Sequence, residues 1–246
     1  MRLGEHLVEL RRRLILSALA ILLCTIAGFF AVDWLLELLQ RPLTDLADSG
    51  RVTDLLYTTV TQAFDLKLRI AITLGVIAAS PVWLYHLIRF FLPGLKKNER
   101  RYVFGFLAAA LPLFLAGCAA GWWVFPQIVQ LLVQIAPSGA ISYLDATTYY
   151  DFAFKLLLAV GVGFVLPVFL VVLNFAGVLS GRGILGAWRW AVIGITLFTA
   201  MATPAADVMS MFLLAIPMLL LYFGAAGIAI LRDRRIAKRV AAKAAA

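Results

Sequence analysis

Two glutamates carry the clearest chemistry in this sequence. Glu9 stands beside Arg11-Arg12-Arg13 and Glu99 beside Arg100-Arg101, each at one end of a long apolar run. A carboxylate so placed can take a guanidinium through paired hydrogen bonds, which are strong and directional. Two such carboxylates can receive two guanidiniums. The spacing also permits a local reading: Glu9 pairs with Arg12 or Arg13 one turn along the same helix, and Glu99 offsets its basic neighbours. On spacing alone the local reading has the stronger claim.

Other ionisable groups offer less. Asp207 and Lys155 lie closest to the apolar runs, where a charge is a functional candidate by default. Asp207 also fits a helix N-cap after Thr203-Pro204, and Lys155 can extend its ammonium to the membrane surface. His6 and His86 have no second ligand near them in sequence, so neither is expected to hold a metal or relay protons. Cys24 and Cys118 lie inside apolar runs without metal-ligand spacing and read as packing residues. No nucleophile elbow, zinc-protease helix, phosphate loop or dinucleotide fingerprint occurs. No enzyme activity and no cofactor are expected.

The elements that must position these groups are membrane helices. The 246 residues are 63% hydrophobic and only 14% charged, with a mean hydropathy of +0.97. Soluble domains carry about 25% charged residues. Six spans are expected, at about 14–36, 66–91, 102–125, 152–178, 190–203 and 208–231. They form one all-α membrane domain over 1–231, with the basic tail 232–246 expected to be disordered. Between the first two spans lies a polar stretch, Gln40 to Asp65, with Pro42, Gly50 and four aspartates. The third span is expected to end at Trp122-Trp123, an aromatic pair suited to the headgroup zone, with a loop from Pro126 to Tyr150. The last apolar block, Trp190 to Leu231, needs a break at Thr203-Pro204, which makes two short spans. Pro81, Pro112, Pro126, Pro167 and Pro217 should bend helices, and bent spans suit a concave bundle.

Charge sets the orientation. Of 22 basic residues, 17 fall in the amino tail, the 89–101 turn, the 182–189 turn and the carboxyl tail. The positive-inside rule places those segments, and both termini, in the cytoplasm. The net charge of +9 is thus a topology signal before it is a nucleic-acid one, and the basic tail suits anionic lipid.

Four motifs in order make the chain recognisable. They are His6-Leu7-Val8-Glu9-Leu10-Arg11-Arg12-Arg13-Leu14; Phe90-Phe91-Leu92-Pro93-Gly94-Leu95 followed by Glu99-Arg100-Arg101; Phe125-Pro126; and Thr203-Pro204-Ala205-Ala206-Asp207-Val208 running on to Leu214-Ala215-Ile216-Pro217-Met218. With this topology the sequence resembles TatC, the multispanning subunit of the twin-arginine protein translocase of prokaryotic cytoplasmic membranes. The resemblance implies a signal-peptide receptor for folded cargo, driven by the proton-motive force. It also implies single-span TatA- and TatB-type partners and a homo-oligomeric complex, without nucleic acid. Glu9 and Glu99 then match the family's signal-peptide-binding glutamates, which reverses the local reading. Arg11 and Phe90 match positions linked to signal recognition. Thr203, Pro204 and Asp207 match the short outer loop near docking partner helices, and Pro42 a proline important to assembly. Val165 departs from the family, many of whose members carry Glu or Gln there. The rival reading is a small-solute secondary transporter, but no similar halves suggest repeats and few polar residues line the spans.

Overall fold

A computed structural model of the chain describes residues 3–48, 53–91, 100–135, 142–203 and 208–244. In chain order the elements are α1 (Leu3–Phe29), α2 (Val32–Asp48), β1 (Thr53–Leu56), α3 (Gln62–Ala78), α4 (Ser80–Phe91), α5 (Arg100–Ile135), β2 (Ser142–Asp145), α6 (Ala146–Phe175), α7 (Gly181–Gly186), α8 (Trp188–Ala202) and α9 (Val208–Ala244). Four helical stretches are long and apolar enough to cross a membrane: Leu7–Phe29, Val103–Gln130, Ala146–Phe175 and Met211–Lys238. The bent α3–α4 pair is apolar enough to make a fifth, and α8 is a shorter apolar helix.

Several boundaries differ from the sequence-based expectation, each for a local reason. The first span stops at Phe29 rather than running to 36. Three-residue turns close it (Phe30 N–H to Ala27 at 3.3 Å, Ala31 N–H to Gly28 at 2.9 Å). Val32, Leu35 and Leu39 then bury one stripe of a separate helix, α2, against the core, and that helix runs through Pro42 to Asp48. The second span bends by 57° between α3 and α4. Pro81 lacks the N–H that would continue the ladder. Beside the bend, the Val76 carbonyl accepts the Trp83 indole N–H at 2.9 Å.

The third span overruns its expected end. α5 continues through Pro112 and Pro126 for 36 residues, so the tryptophan pair lies well inside the helix rather than at its end. Proline is tolerated in membrane helices where packing and neighbouring groups compensate for the lost bond. Here Phe125 and Ile128 are fully buried, and the Phe125 ring meets Tyr149 edge-on, centroids 5.2 Å apart. The expected 126–150 loop is therefore partly helix, and it also supplies β2. β1 and β2 pair in parallel, Thr53 opposite Ser142 through Leu56 opposite Asp145, a small sheet added to the helical fold.

α6 ends at Phe175, where Gly177 adopts φ +78 and the Val178 N–H returns to the Leu173 carbonyl, a glycine-terminated cap. Of the last two spans only α8 is short, at 15 residues; α9 has 37. The tail expected to be disordered is helical through Ala244. It has no Gly or Pro to stop a helix, and Ala, Lys and Arg favour continuing one.

α6 forms the centre of the bundle and packs most extensively on α5. A Cβ at Gly117 would come within 2.8 Å of Gly161 Cα and the Val160 carbonyl, so the two backbones touch. Such small-residue contact is how membrane helices gain packing energy without a hydrophobic drive. Gly75 of α3 lies equally close to Thr25 of α1.

Candidate functional site

Glu9 and Arg13 face one another across one turn of α1. The Arg13 guanidinium donates through Nε at 3.1 Å and through Nη2 to the same oxygen, Glu9 Oε1. Arg13 is 9% exposed, so this is a largely buried cation against a carboxylate whose side chain keeps 28% exposure. α1 runs antiparallel along α3 and on to α4, its Gly28 against Ala71 and its Thr25 against Gly75. The amino-terminal part of α1 therefore lies beside the carboxyl-terminal part of α4. Arg89 donates to the Tyr85 hydroxyl at 3.0 Å, and the Tyr85 and His86 rings meet edge-on at 5.4 Å.

The structure thus brings Glu9, Arg11 and Phe90 to one end of the bundle, with Arg11 exposed and Phe90 half-buried. Glu99, Pro204 and Asp207 lie outside the described residues. Pro42 falls in α2, at the opposite end of α1 from Glu9. The intervening 20 residues of helix span about 30 Å. Thr203 caps α8, buried, its hydroxyl donating to the Thr199 carbonyl at 3.0 Å. Lys155 is 81% exposed with Asp151 at 3.9 Å. Val165 is 2% exposed within an apolar cluster that includes Leu84, Phe114 and Ala225. Among the described residues no group of three or more His, Cys, Asp or Glu could hold a metal.

Sequence reasoning missed two polar assemblies. At the end that carries Pro42, Gln62 is a hub. Its Oε1 accepts from Thr58 N–H at 2.5 Å and from Thr59 N–H at 3.3 Å, and its Nε2 donates to Asp145 at 2.8 Å and Thr147 at 2.7 Å. Asp145 in turn caps α6 through the Thr148 N–H at 2.8 Å. The Tyr149 hydroxyl donates to the Leu39 carbonyl at 2.8 Å, which holds α2 to α6. Arg69 ties Asp65 to Asp151, both at 2.9 Å. The Asp145-x-x-Thr148 spacing is the one signal in the sequence that could have exposed this network.

At the basic end, Asp233 accepts from the Gly181 N–H at 2.7 Å and the Asn174 amide at 3.0 Å. Arg232 donates to Asn174 and to the Phe175 carbonyl, and its guanidinium lies 4.3 Å from the Phe175 ring centroid. This clamp fixes α9 to the end of α6. Asp233→Ala should therefore lower the melting midpoint in detergent, because the Gly181 N–H and the Asn174 amide lose their acceptor.

Comparison with known proteins decides the family. The family model for the Sec-independent protein translocase protein TatC matches residues 5–217. The chain belongs to the TatC family. It is 41% identical to the TatC protein of Xylanimonas cellulosilytica over 247 aligned positions, covering all of this chain and 89% of that one. It is 34% identical to the TatC protein of Carboxydothermus hydrogenoformans, covering 90% of each. A crystal structure of the twin arginine translocase receptor TatC in DDM superposes with a TM-score of 0.78 at 30% identity, over 91% of this chain and 99% of that one. The six-helix TatC fold and a multi-pass membrane protein of the Sec-independent translocase follow from these matches.

Proposed function

We propose that this TatC chain is the translocase's receptor for twin-arginine signal peptides and the platform on which folded cargo is exported. Glu9 takes one cargo guanidinium and Glu99 the other, with Arg11 and Phe90 shaping the approach. The observation that carries this reading is Glu9 itself: a partly exposed carboxylate already in guanidinium contact at a helix end, beside α4. In this reading the basic end and both termini face the cytoplasm of a prokaryotic cell, because 17 of 22 basic residues lie there. Single-span partners of the TatA and TatB type dock near Thr203, Pro204 and Asp207. Pro42 supports assembly, and the complex holds more than one copy of the chain. The role is non-catalytic.

The test is crosslinking of a photoreactive twin-arginine peptide to the full chain in membranes. Glu9→Gln and Glu99→Gln should each lower crosslinking at least tenfold with membrane insertion intact. Native crosslinking and export in the double variant would overturn the reading.

A further inference from the structure

Glu9 is not an empty receptor group, because its Oε1 is held by Arg13 of the same helix. A guanidinium from outside meets a resident guanidinium there. Beside that pair sits a second anomaly. His86 Nδ1 is buried and has no hydrogen-bond partner, although α1, which carries Arg13, packs on α4, which carries His86. Buried acceptors are ordinarily satisfied, and with its proton on Nε2 the imidazole offers Nδ1 as an acceptor. Among the described residues two cations lie near this end of α4: Arg89, which donates to the Tyr85 hydroxyl, and Arg13 on the packed α1, whose transfer from Glu9 would give Nδ1 a donor.

We infer that Arg13 is a built-in competitor for the receptor site: its guanidinium occupies Glu9 in the resting chain as a cargo arginine would, and passes to His86 Nδ1 when the cargo arginine arrives. The inference rests on the reading of Glu9 as a cargo-binding group. Two features suit Arg13 to this part. It is tethered one turn from Glu9, so its effective concentration there is high and it holds the site against stray cations. The exchange replaces one guanidinium by another, so the carboxylate is never left unpaired in a poorly solvated place. His86 gives the displaced group a partner, so the exchange does not strand it either.

Binding of a fluorescent synthetic peptide with two consecutive arginines to the purified full chain in nanodiscs separates the possibilities. Arg13→Gln should bind the peptide about tenfold tighter, having lost the competitor. His86→Phe should bind it several-fold weaker in the native background and change nothing in the Arg13→Gln background. His86→Gln, which keeps an acceptor, should restore native affinity. Should Arg13→Gln not fold, Arg13→Lys provides the same comparison: its ammonium lacks the guanidinium's fork, and affinity should rise by a smaller factor. Unchanged or weaker peptide binding in the folded Arg13 variant overturns the inference, because Arg13 then shares or orients Glu9 rather than blocking it. Native affinity in Glu9→Gln overturns instead the receptor reading on which the inference stands.

Discussion

Replacing Glu9 by alanine is expected to weaken the fold as well as end peptide binding, and removing Arg13 in the same chain should restore much of the stability without restoring binding. Arg13 is nine-tenths buried, and Glu9 is the carboxylate that faces it. Removing one partner of a buried pair destabilises by about 3–5 kcal/mol, because the other charge is left uncompensated. Glu9 keeps 28% side-chain exposure, so water and headgroups soften that penalty, and about 2 kcal/mol is the expected loss. The melting midpoint in detergent of Glu9→Ala, Arg13→Ala and the double variant gives the coupling directly. If the single Glu9 variant is no less stable than the double, the pair carries no structural role. The practical point concerns the receptor test itself. Loss of crosslinking in Glu9→Ala alone mixes a missing ligand with a loosened α1, and this is why the glutamine variant is preferable.

Gln62→Leu should loosen the opposite end of the molecule by about 2–3 kcal/mol while leaving peptide affinity unchanged. Leucine matches the volume of this 8% exposed side chain but keeps none of its bonds to Thr58, Thr59, Asp145 and Thr147. Each bond is worth about 1 kcal/mol net, and the threonine donors at the surface regain water. The remaining deficit falls on Asp145, which must cap α6 without its amide donor. Hydrogen exchange followed by mass spectrometry should show faster exchange over 53–61 and 142–148 and little change in α5. Native exchange in those segments would show that the sheet and the cap hold without Gln62.

What the sequence made legible follows from the range of the physics involved. Spans are set by runs of apolar residues, and each expected span has an apolar helix in the structure. The bend at Pro81 follows from a missing N–H and a restricted φ. The Glu9–Arg13 pair was one of two local options at helical spacing, and packing against α4 selected it. Pairing of β1 with β2 joins two four-residue segments some 90 positions apart, and neither segment has enough alternation to announce it. Pro126 misled because proline disfavours a helix locally, whereas burial of Phe125 and Ile128 decides the matter tertiarily. The Asp233 clamp was hidden for a related reason. A lone acid among tail arginines reads as a solvated charge until Gly181 and Asn174 are brought to it.

The contact of Gly117 with Gly161 has a mechanical consequence. Where the two backbones touch, no side chain lies between them to stretch or repack, so the seam at that point opens only if the helices part. Any widening needed for the passage of something bulky must therefore be found at the rim, where α1 and α8 present apolar faces left exposed among the described residues. The α5–α6 pair would move through such an event as a single beam.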